Sequence, residues 1–314
     1  MVDNKQQWKA WLYLSPAIIL LLVFTVWPII NTLRMAFLEG YSAQAEVGGA
    51  TFAFGIGNFL KVIEYKKFLQ CMQNTILLCV LTVPVSTLLA LLIAVALNSI
   101  KGLQRILQTI FFLPYVTNSI AIGMVFAAMF NIVGSFHGTE NEIIQTAGII
   151  NNVIEFFGGD RINWINAGSP YWANITVMVV YIVWNALPFK ILVLLGGLQA
   201  INTQYYDAAK VDGTSRSRVF TRITVPLLSP MLAYVIITGF IGGFKEYTSI
   251  VGIFGESMGP PDAPGRLNTM VGFIYEALEN KHQGRASAAA LILFVIILIV
   301  TQLNMKFGKK SVHY

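Results

Sequence analysis

Long apolar stretches separated by short polar segments dominate this sequence. Lys, Arg, Asp and Glu are absent from six windows, and each window holds about 18 or more mostly apolar residues. At about 1.5 Å per residue, a helix of that length crosses the roughly 30 Å hydrocarbon core of a bilayer. The pattern therefore predicts an all-α, polytopic membrane protein with six transmembrane helices. Their approximate bounds are residues 11–33, 76–97, 106–130, 171–195, 227–250 and 286–305.

The first apolar run follows Lys5 and Lys9, an arrangement that also occurs in cleaved signal peptides. The segment Ala43-Gln44-Ala45 even resembles a cleavage site. The run is too long for a signal peptide, however, and Arg34 and Glu39 intervene before that segment. We therefore expect an uncleaved first membrane helix.

The distribution of charge predicts the orientation. Charged residues make up 11% of the chain and hydrophobic residues 56%, whereas soluble domains have about 25% charged residues. Basic residues in short loops favour the cytoplasmic side. With the N-terminus inside, the outer segments carry most of the acidic residues, so we expect both chain ends in the cytoplasm. The net charge of +6 then reports topology and not nucleic-acid binding. The cytoplasmic basic residues would be Lys5, Lys9, Lys101, Arg105, Lys210, Arg216, Arg218, Arg222, Lys306, Lys309 and Lys310.

The sequence offers no recognisable catalytic centre. Cys71 and Cys79 lack metal-ligand spacing, and the three histidines are scattered through loops and the tail. No GxxxxGK[ST] phosphate loop occurs. We therefore expect no cofactor and no enzyme activity, and any ATP hydrolysis must occur on another polypeptide.

Three polar segments carry helix signals of their own. On the outer side, residues 149–157 have the apolar spacing of a short interfacial helix, and residues 58–68 are amphipathic, as in a segment that lies on the membrane or on a neighbouring helix. The inner segment 199–226 is too long for a turn. Asn202 or Thr203 is suited to cap a first short helix there, and Thr214 or Ser215 a second, with Gly213 supplying a positive φ at the reversal between them. Pro226 would fall in the first turn of the next membrane helix.

This inner segment resembles a known motif. It reads Asp207-Ala208-Ala209-Lys210-Val211-Asp212-Gly213-Thr214 and, after eight residues, Ile223-Thr224-Val225-Pro226. The sequence is similar to the EAA loop of permease subunits in binding-protein-dependent ABC importers for sugars and related solutes, such as maltose and glycerol-3-phosphate. It departs from that motif at Asp207, where the family has Glu, and more mildly at Thr214 and Val225.

The resemblance extends over most of the chain. It includes Leu198-Gln199-Ala200-Ile201, Phe112-Leu113-Pro114-Tyr115 at the opening of the third helix, Gly148-Ile149-Ile150-Asn151, and the Ala-rich stretch from Arg285 to Ala290. A longer Pro/Gly-rich loop around Gly259-Pro260-Pro261 replaces the family's usual turn after the fifth helix. The contacts of that loop are therefore not carried over.

The resemblance implies the type I ABC importer permease fold. Residues 1–70 would form a tail, the first helix and an outer loop; residues 71–305 the permease core with a coupling loop at 199–226; and residues 306–314 a cytoplasmic tail. The expected partners are a second, related permease subunit, two cytoplasmic ATPases, an extracellular solute-binding protein, a sugar and membrane lipids, with no nucleic acid. The residues expected to couple to the ATPase are Tyr205, Tyr206, Asp207, Ala208, Ala209, Asp212, Gly213, Arg216, Arg218, Phe220 and Pro226.

Candidate pathway residues follow from polar and aromatic side chains inside the predicted helices. Sugar sites combine aromatic faces with amides, hydroxyls and carboxylates, which favours Tyr181, Trp184, Asn185, Thr238, Gly242, Glu246 and Tyr247. The aromatics are equally typical of membrane interfaces, and the spacing of Gly239 and Gly243 is typical of plain helix packing.

Lys190, Lys245 and Glu246 are the charged residues inside the predicted helices. Lys190 would lie about 10 Å deep and Glu246 about 25 Å deep, so we expect no direct pair between them. Lys190 would extend to the inner headgroups or take part in function, since charges inside membrane helices are functional candidates. Lys245 and Glu246 would line a water-filled cavity or pair with another helix or subunit.

Other functions remain open from the sequence. Glycerol-3-phosphate or another polar solute is an alternative substrate, which the two lysines favour and Glu246 disfavours. An ion-coupled secondary transporter would show inverted repeats, and a membrane enzyme would show clustered titratable groups near one leaflet. We see neither pattern.

Overall fold

The protein is described from a computed structural model over residues 7–100, 102, 104–136 and 143–311. Some of the sequence-based predictions, including those for Lys5 and Lys101, concern residues outside these ranges. The chain divides into two compact units. One comprises the residues up to Leu69 together with Gly272–Phe294, and the other comprises Gln70–Val271 and the chain from Val295 onward.

Helices account for nearly all regular structure in the first part of the chain. A π-helical turn at Leu22–Val26 joins the first two helices, which together form one continuous apolar helix, Trp8–Phe37. The helices here are α1 (Gln7–Leu21), α2 (Trp27–Phe37), α3 (Ala43–Val47), α4 (Gly57–Glu64), α5 (Lys66–Ser99), α6 (Gln104–Val116) and α7 (Ser119–Phe130).

A small hairpin and eight further helices follow. The antiparallel strands β1 (Ile132–Phe136) and β2 (Ile143–Ala147) pair with Ile132 opposite Ala147. A π-helical turn at Phe220–Thr224 leads from α11 into α12. The helices are α8 (Ile149–Phe156), α9 (Tyr171–Ala200), α10 (Thr203–Val211), α11 (Arg216–Val219), α12 (Val225–Phe244), α13 (Thr248–Phe254), α14 (Met270–Glu279) and α15 (Gln283–Ser311).

The prediction of an all-α, six-span protein is confirmed in outline. In the described residues, five helices are long and apolar enough to cross a membrane, and a sixth span results if one bent pair is counted as a single span. The short outer helix predicted at 149–157 is α8, and α4 covers much of the amphipathic stretch predicted at 58–68. The hairpin β1–β2 was not predicted.

The third predicted helix is broken, which corrects the expectation of one helix over 106–130. Residues Ile106–Val116 and Ser119–Phe130 meet at an angle of 98°. Pro114 lacks an N–H for the helical ladder near the end of α6, and the Asn118 side chain then accepts from Ile120 N at 2.9 Å and starts α7. The segment around Pro114 therefore ends a helix and does not open one.

The fifth predicted helix, over 227–250, is also interrupted. It ends at Phe244, and α13 begins at Thr248 after a short non-helical stretch. Lys245 and Glu246 thus lie in a break and not inside a continuous helix. Gly242 and Gly243, which favour helix ends and close backbone approach, precede that break.

The main hydrophobic core surrounds these breaks. Helix α13 packs on α7 at two glycines: a Cβ atom built on Gly123 would lie 2.7 Å from the Gly252 Cα. Around them lies a buried cluster that includes Met178, Tyr181 and Ile250 from α9 and α13. A second buried cluster joins α5, α9 and α12 and includes Leu194, Leu228 and Val235.

We expect Gly123→Ala to destabilise the protein. The added methyl group would collide with backbone atoms of Gly252, which have little freedom to move, and overpacking of this kind costs about 1–3 kcal/mol. Gly196→Ala in α9 is the matched control, since no atom lies within 4 Å of its added Cβ. Thermal unfolding midpoints of the detergent-purified variants measure the difference, and equal midpoints would refute the close packing of α7 on α13.

Candidate functional site

A cavity of about 310 Å³ opens among α5, α6, α9 and α12. Its wall combines hydroxyls, one amide, two aromatic rings, one ammonium and one carboxylate. The residues that line it are Thr82, Val83, Ser86, Tyr115, Ile182, Asn185, Ala186, Phe189, Lys190, Thr238, Gly239, Gly242, Gly243 and Glu246. All of them belong to the larger unit.

Glu246 is held in place by the break that precedes α13. Its Oε1 accepts from Tyr247 N and Ser249 N, both at 3.1 Å, and so satisfies amides that begin this short helix. Its own carbonyl accepts from the Thr269 hydroxyl at 2.7 Å. The carboxylate therefore has a fixed position on the cavity wall, and this position results from the loss of helical structure at this point in the chain.

Lys190 does not extend to the headgroups, which corrects the sequence-based expectation. Only 4% of it is exposed. Its Nζ donates to Ser86 Oγ at 2.7 Å, Thr87 Oγ1 at 2.9 Å and Val83 O at 3.2 Å. Three acceptors on α5 match the three donors of the ammonium group, which explains why this side chain remains inside the protein.

Gly239 makes room for this arrangement. A Cβ atom at that position would lie 3.2 Å from Lys190 Nζ and 3.1 Å from a methyl carbon of Val83. Gly239 and Gly243 therefore allow close packing, and both also line the cavity. In the described part of the chain no salt bridge joins Lys190 to Glu246, in agreement with the expected separation.

Four of the seven predicted pathway residues line the cavity: Asn185, Thr238, Gly242 and Glu246. The other three do not. Tyr181 is fully buried and its hydroxyl donates to Ser119 O, while Trp184 packs on Phe126 with ring centroids 5.2 Å apart. Tyr247 packs against the same core cluster.

The aromatic wall is made instead by Tyr115 and Phe189, which the sequence reasoning missed. Their rings stack with centroids 6.1 Å apart and an interplanar angle of 19°. A signal for Phe189 was available, because it follows Asn185 by four residues and so shares its helix face. Tyr115 was accessible only through the fold, since it lies just before the break between α6 and α7.

The segment 199–226 forms two short helices with a tight reversal between them. The Asn202 side chain accepts from Gln204 N at 3.0 Å and caps α10, as predicted. Gly213 has φ +63°, and Ser215 occupies the N-cap position of α11. Pro226 lies in the first turn of α12, where its missing N–H costs little. This segment is called the elbow below.

The elbow exposes only some of the residues assigned to coupling. Asp207, Ala208, Asp212, Gly213, Arg216 and Arg218 are exposed, and so is Tyr205 at 55%. Ala209 is buried, Tyr206 is partly buried with its hydroxyl 3.3 Å from Thr224 Oγ1, and Phe220 packs on the core of α5, α9 and α12. These three side chains stabilise the elbow itself. Val211 was overlooked and is 89% exposed.

Comparison with known proteins identifies the family. Residues 84–310 match the family described as binding-protein-dependent transport system inner membrane component. The chain belongs to this family.

In the described residues, no three His, Cys, Asp or Glu side chains are grouped closely enough to hold a metal ion.

Relatives and solved structures agree with this permease family. The lactose transport system permease protein LacF of Rhizobium radiobacter is 29% identical over 94% of this chain and 91% of its own. The trehalose/maltose transport system permease protein MalF of Thermococcus litoralis is 28% identical over 95% and 93%. The sn-glycerol-3-phosphate transport system permease protein UgpA of Agrobacterium fabrum is 27% identical over 97% and 96%.

A solved bacterial ABC transporter for import of the acidic polysaccharide alginate has the same fold. Its matching chain superposes with a TM-score of 0.76 at 21% identity, and the match covers 98% of this permease and 97% of that chain. The type I permease fold implied by the elbow sequence is thereby confirmed. The permease is a multi-pass membrane protein and not an enzyme, because ATP is hydrolysed on separate subunits. Family membership also sets aside the ion-coupled transporter.

We expect Thr87→Val to destabilise the permease by about 1–3 kcal/mol, because the buried ammonium of Lys190 loses one of its three acceptors. Removal of the ammonium as well, in Thr87→Val/Lys190→Met, should recover most of the loss. Thermal unfolding of the two single variants and the double variant gives the coupling energy.

Thr176→Val in α9 provides the control for this cycle. Its hydroxyl makes the same kind of bond to its own helix, with Trp172 O at 2.8 Å, and no ammonium accompanies it. Equal losses in Thr87→Val and Thr176→Val, or additive effects in the double variant, would show that Lys190 does not depend on α5.

Proposed function

We propose that this permease conducts a sugar or oligosaccharide. The residues that line the cavity between α9 and α12 would form one wall of the translocation pathway. The cavity lining carries this proposal. Tyr115 and Phe189 offer faces for the apolar surface of a sugar ring, while Asn185, Thr238 and Glu246 offer partners for hydroxyl groups. The names of the lactose and trehalose/maltose relatives support the same class of substrate.

Glycerol-3-phosphate is the second candidate, because one relative is a permease for that solute. The charges of the cavity favour the neutral sugar. Lys190 is the basic residue among those that line the cavity, and its three donors are already matched by Ser86, Thr87 and Val83, so its ammonium offers no free donor to a phosphate. Glu246 on the same wall would repel it.

The proposed assembly contains this permease, a second and related permease subunit, two cytoplasmic ATPases and an extracellular solute-binding protein. A solved neighbour contains a pentasaccharide-bound periplasmic protein, which supports the last of these. The second permease would supply the other half of the pathway. We place the complex in a bacterial cell membrane with both ends of this chain in the cytoplasm, following the distribution of basic residues.

The elbow is the proposed contact with the ATPase. Its exposed face combines Val211 and Tyr205 with the charged side chains of Asp212, Arg216 and Arg218. Apolar groups of this kind fill pockets on a partner, while surrounding charges fix orientation. Because α11, the following π-helical turn and α12 form one continuous helix, Arg216–Phe244, a displacement of the elbow is transmitted directly to the cavity wall.

The single change Val211→Asp tests the contact with the ATPase. A carboxylate in place of an apolar side chain that becomes buried at the interface should lower ATPase binding about tenfold or more. The effect is measured by copurification of the ATPase with the permease and by the rate of ATP hydrolysis of the complex in the presence of the binding protein and substrate. Val47→Asp in α3 is a matched control, because Val47 is 91% exposed and lies on the predicted outer side. Equal ATPase recovery in the two variants would remove the elbow from the interface.

Uptake in proteoliposomes with the ATPase and the binding protein tests the pathway. Asn185→Ala should lower the transport rate by up to about tenfold, since one hydrogen bond to a sugar is lost in the cavity. Assembly should be unchanged, because the side chain is not part of the core clusters. Thr176→Ala on the same helix, outside the cavity lining, should transport normally. Unchanged uptake in Asn185→Ala would take this residue out of the pathway.

A further inference from the structure

A second cavity, of about 260 Å³, lies entirely within the smaller unit. Two of its lining side chains are basic, one is a histidine and none is an Asp or Glu. The lining residues are Gly40, Tyr41, Asn58, Lys61, His282 and Arg285. Their chemistry suits an anion, and the proposed translocation pathway does not use them.

Buried hydrogen bonds fix the walls of this cavity. Asn58 is 1% exposed, and its Nδ2 donates to Leu38 O at 2.7 Å and Ala36 O at 3.1 Å while its Oδ1 accepts from Gly40 N at 3.1 Å. At the start of α15, Gly284 N donates to Tyr41 O at 3.0 Å. The cavity is therefore a built feature and not a gap between loose loops.

Arg285 contributes a donor that its own surroundings do not match. Its Nε is buried and has no hydrogen-bond acceptor among the described residues, and its guanidinium lies 5.1 Å from the ring centroid of Tyr65. Buried N–H groups are normally paired. A guanidinium fork fits the oxygens of a phosphate or carboxylate better than any other ligand.

Two acids near this cavity, Glu39 and Glu46, already have hydrogen-bond donors, and one of these donors is the lining residue Tyr41. Glu46 accepts from the Tyr41 hydroxyl and pairs with Arg34, and these two hydrogen bonds hold the pKa of Glu46 below its ordinary value. Glu39 Oε1 accepts from Gly57 N at 3.0 Å. Neither carboxylate is among the residues that line the cavity, and the lining residues include no Asp or Glu, so the lining suits an anion from another molecule.

The position of the cavity at the ends of two predicted membrane spans indicates which molecule supplies the anion. The spans Trp8–Phe37 and Gln283–Lys306 have 30 and 24 residues. Their lengths of about 45 and 36 Å exceed the roughly 30 Å hydrocarbon core, so their ends reach the headgroups. Gly40 follows the first span closely and Arg285 lies in the first turn of the second. Exposed apolar side chains on and beside α4 lie next to the cavity residues in sequence, namely Phe54, Ile56, Leu60 and Ile63.

We propose that this cavity binds the phosphate of an anionic phospholipid, of the phosphatidylglycerol type, from the adjacent leaflet. Lys61 and Arg285 contact the phosphate oxygens, and the apolar side chains of α4 and α2 lie against the glycerol and acyl groups. The inference rests on the membrane-embedded fold and is independent of the substrate proposed for the larger cavity. A bound lipid here would fix the loop after the first span onto the start of the last span.

Native mass spectrometry of the purified permease complex tests the proposal. The complex is reconstituted in nanodiscs of phosphatidylcholine with a minor fraction of phosphatidylglycerol, and the retained lipids are counted. Lys61→Gln/Arg285→Gln should lower the retained phosphatidylglycerol relative to phosphatidylcholine about tenfold. Arg285→Lys, which keeps the charge, should lose less. Lys66→Gln removes one exposed cation nearby that does not line the cavity and should retain the lipid.

Three results would overturn the proposal. Equal lipid retention in the double variant and in Lys66→Gln would show that the cavity holds no lipid. Displacement of phosphatidylglycerol by soluble inorganic phosphate would identify a site for free anions. Unchanged lipid retention with a weaker affinity for the solute-binding protein would identify an acidic protein partner. Thermal unfolding of each variant establishes that the complex is still folded when lipids are counted.

Discussion

Satisfaction of every backbone polar group inside a bilayer is the constraint on which this structure depends, since water is absent there to replace a lost hydrogen bond. Non-helical backbone nevertheless occurs between α6 and α7, within one bent span, and between α12 and α13, where another span ends. At each break a side chain accepts the amides that helix geometry leaves open: Asn118 accepts from Ile120 N and Ala121 N, and Glu246 accepts from Tyr247 N and Ser249 N. Non-helical backbone is tolerated because these caps are present.

The breaks also create the cavity. Tyr115 stands just before the first one and Glu246 lies within the second, and both line the space between α9 and α12. A continuous helix would carry these side chains around its axis at fixed steps of about 100°. Interruption frees them to face a common volume. The glycine contact between Gly123 and Gly252 then holds the two half-helices together behind the cavity.

The buried charge of Lys190 is stabilised in the same way, because each of its hydrogen-bond donors has an acceptor. Lys190 has no carboxylate partner in the described residues, yet its three donors meet three oxygens on α5. A buried cation is costly when its donors are left open, and much less so when hydrogen bonds replace its hydration. In contrast, Lys61 and Arg285 of the smaller unit line a cavity whose lining has no Asp or Glu, and Arg285 Nε has no hydrogen-bond partner among the described residues. The first arrangement satisfies the buried cation within the protein, and the second leaves a donor open for the proposed lipid.

The residues of the elbow fall into a buried or partly buried group that stabilises the elbow and an exposed group. Some of its small and aromatic residues are buried or partly buried: Ala209, Tyr206 and Phe220 pack against the rest of the chain and stabilise the elbow. Val211 and Tyr205 are exposed to solvent. Sequence similarity marks the motif as a unit. Only the packing of α10 against the following helices separates the residues that build the elbow from those that face outward.

The sequence alone determined the membrane class, a series of five to six apolar spans, the elbow with its cap at Asn202 and its reversal at Gly213, and the family. These follow from local rules: apolar run length, charge distribution, capping and a contiguous motif. Four of the seven predicted pathway residues line the larger cavity, and the signal for Asn185 and Glu246 was that they are polar where apolar residues are expected. Tertiary structure decided the rest. The helix breaks, the stacked pair Tyr115 and Phe189, and the burial of Lys190 depend on which helices lie side by side, and contacts between distant segments leave no periodic signal in the chain.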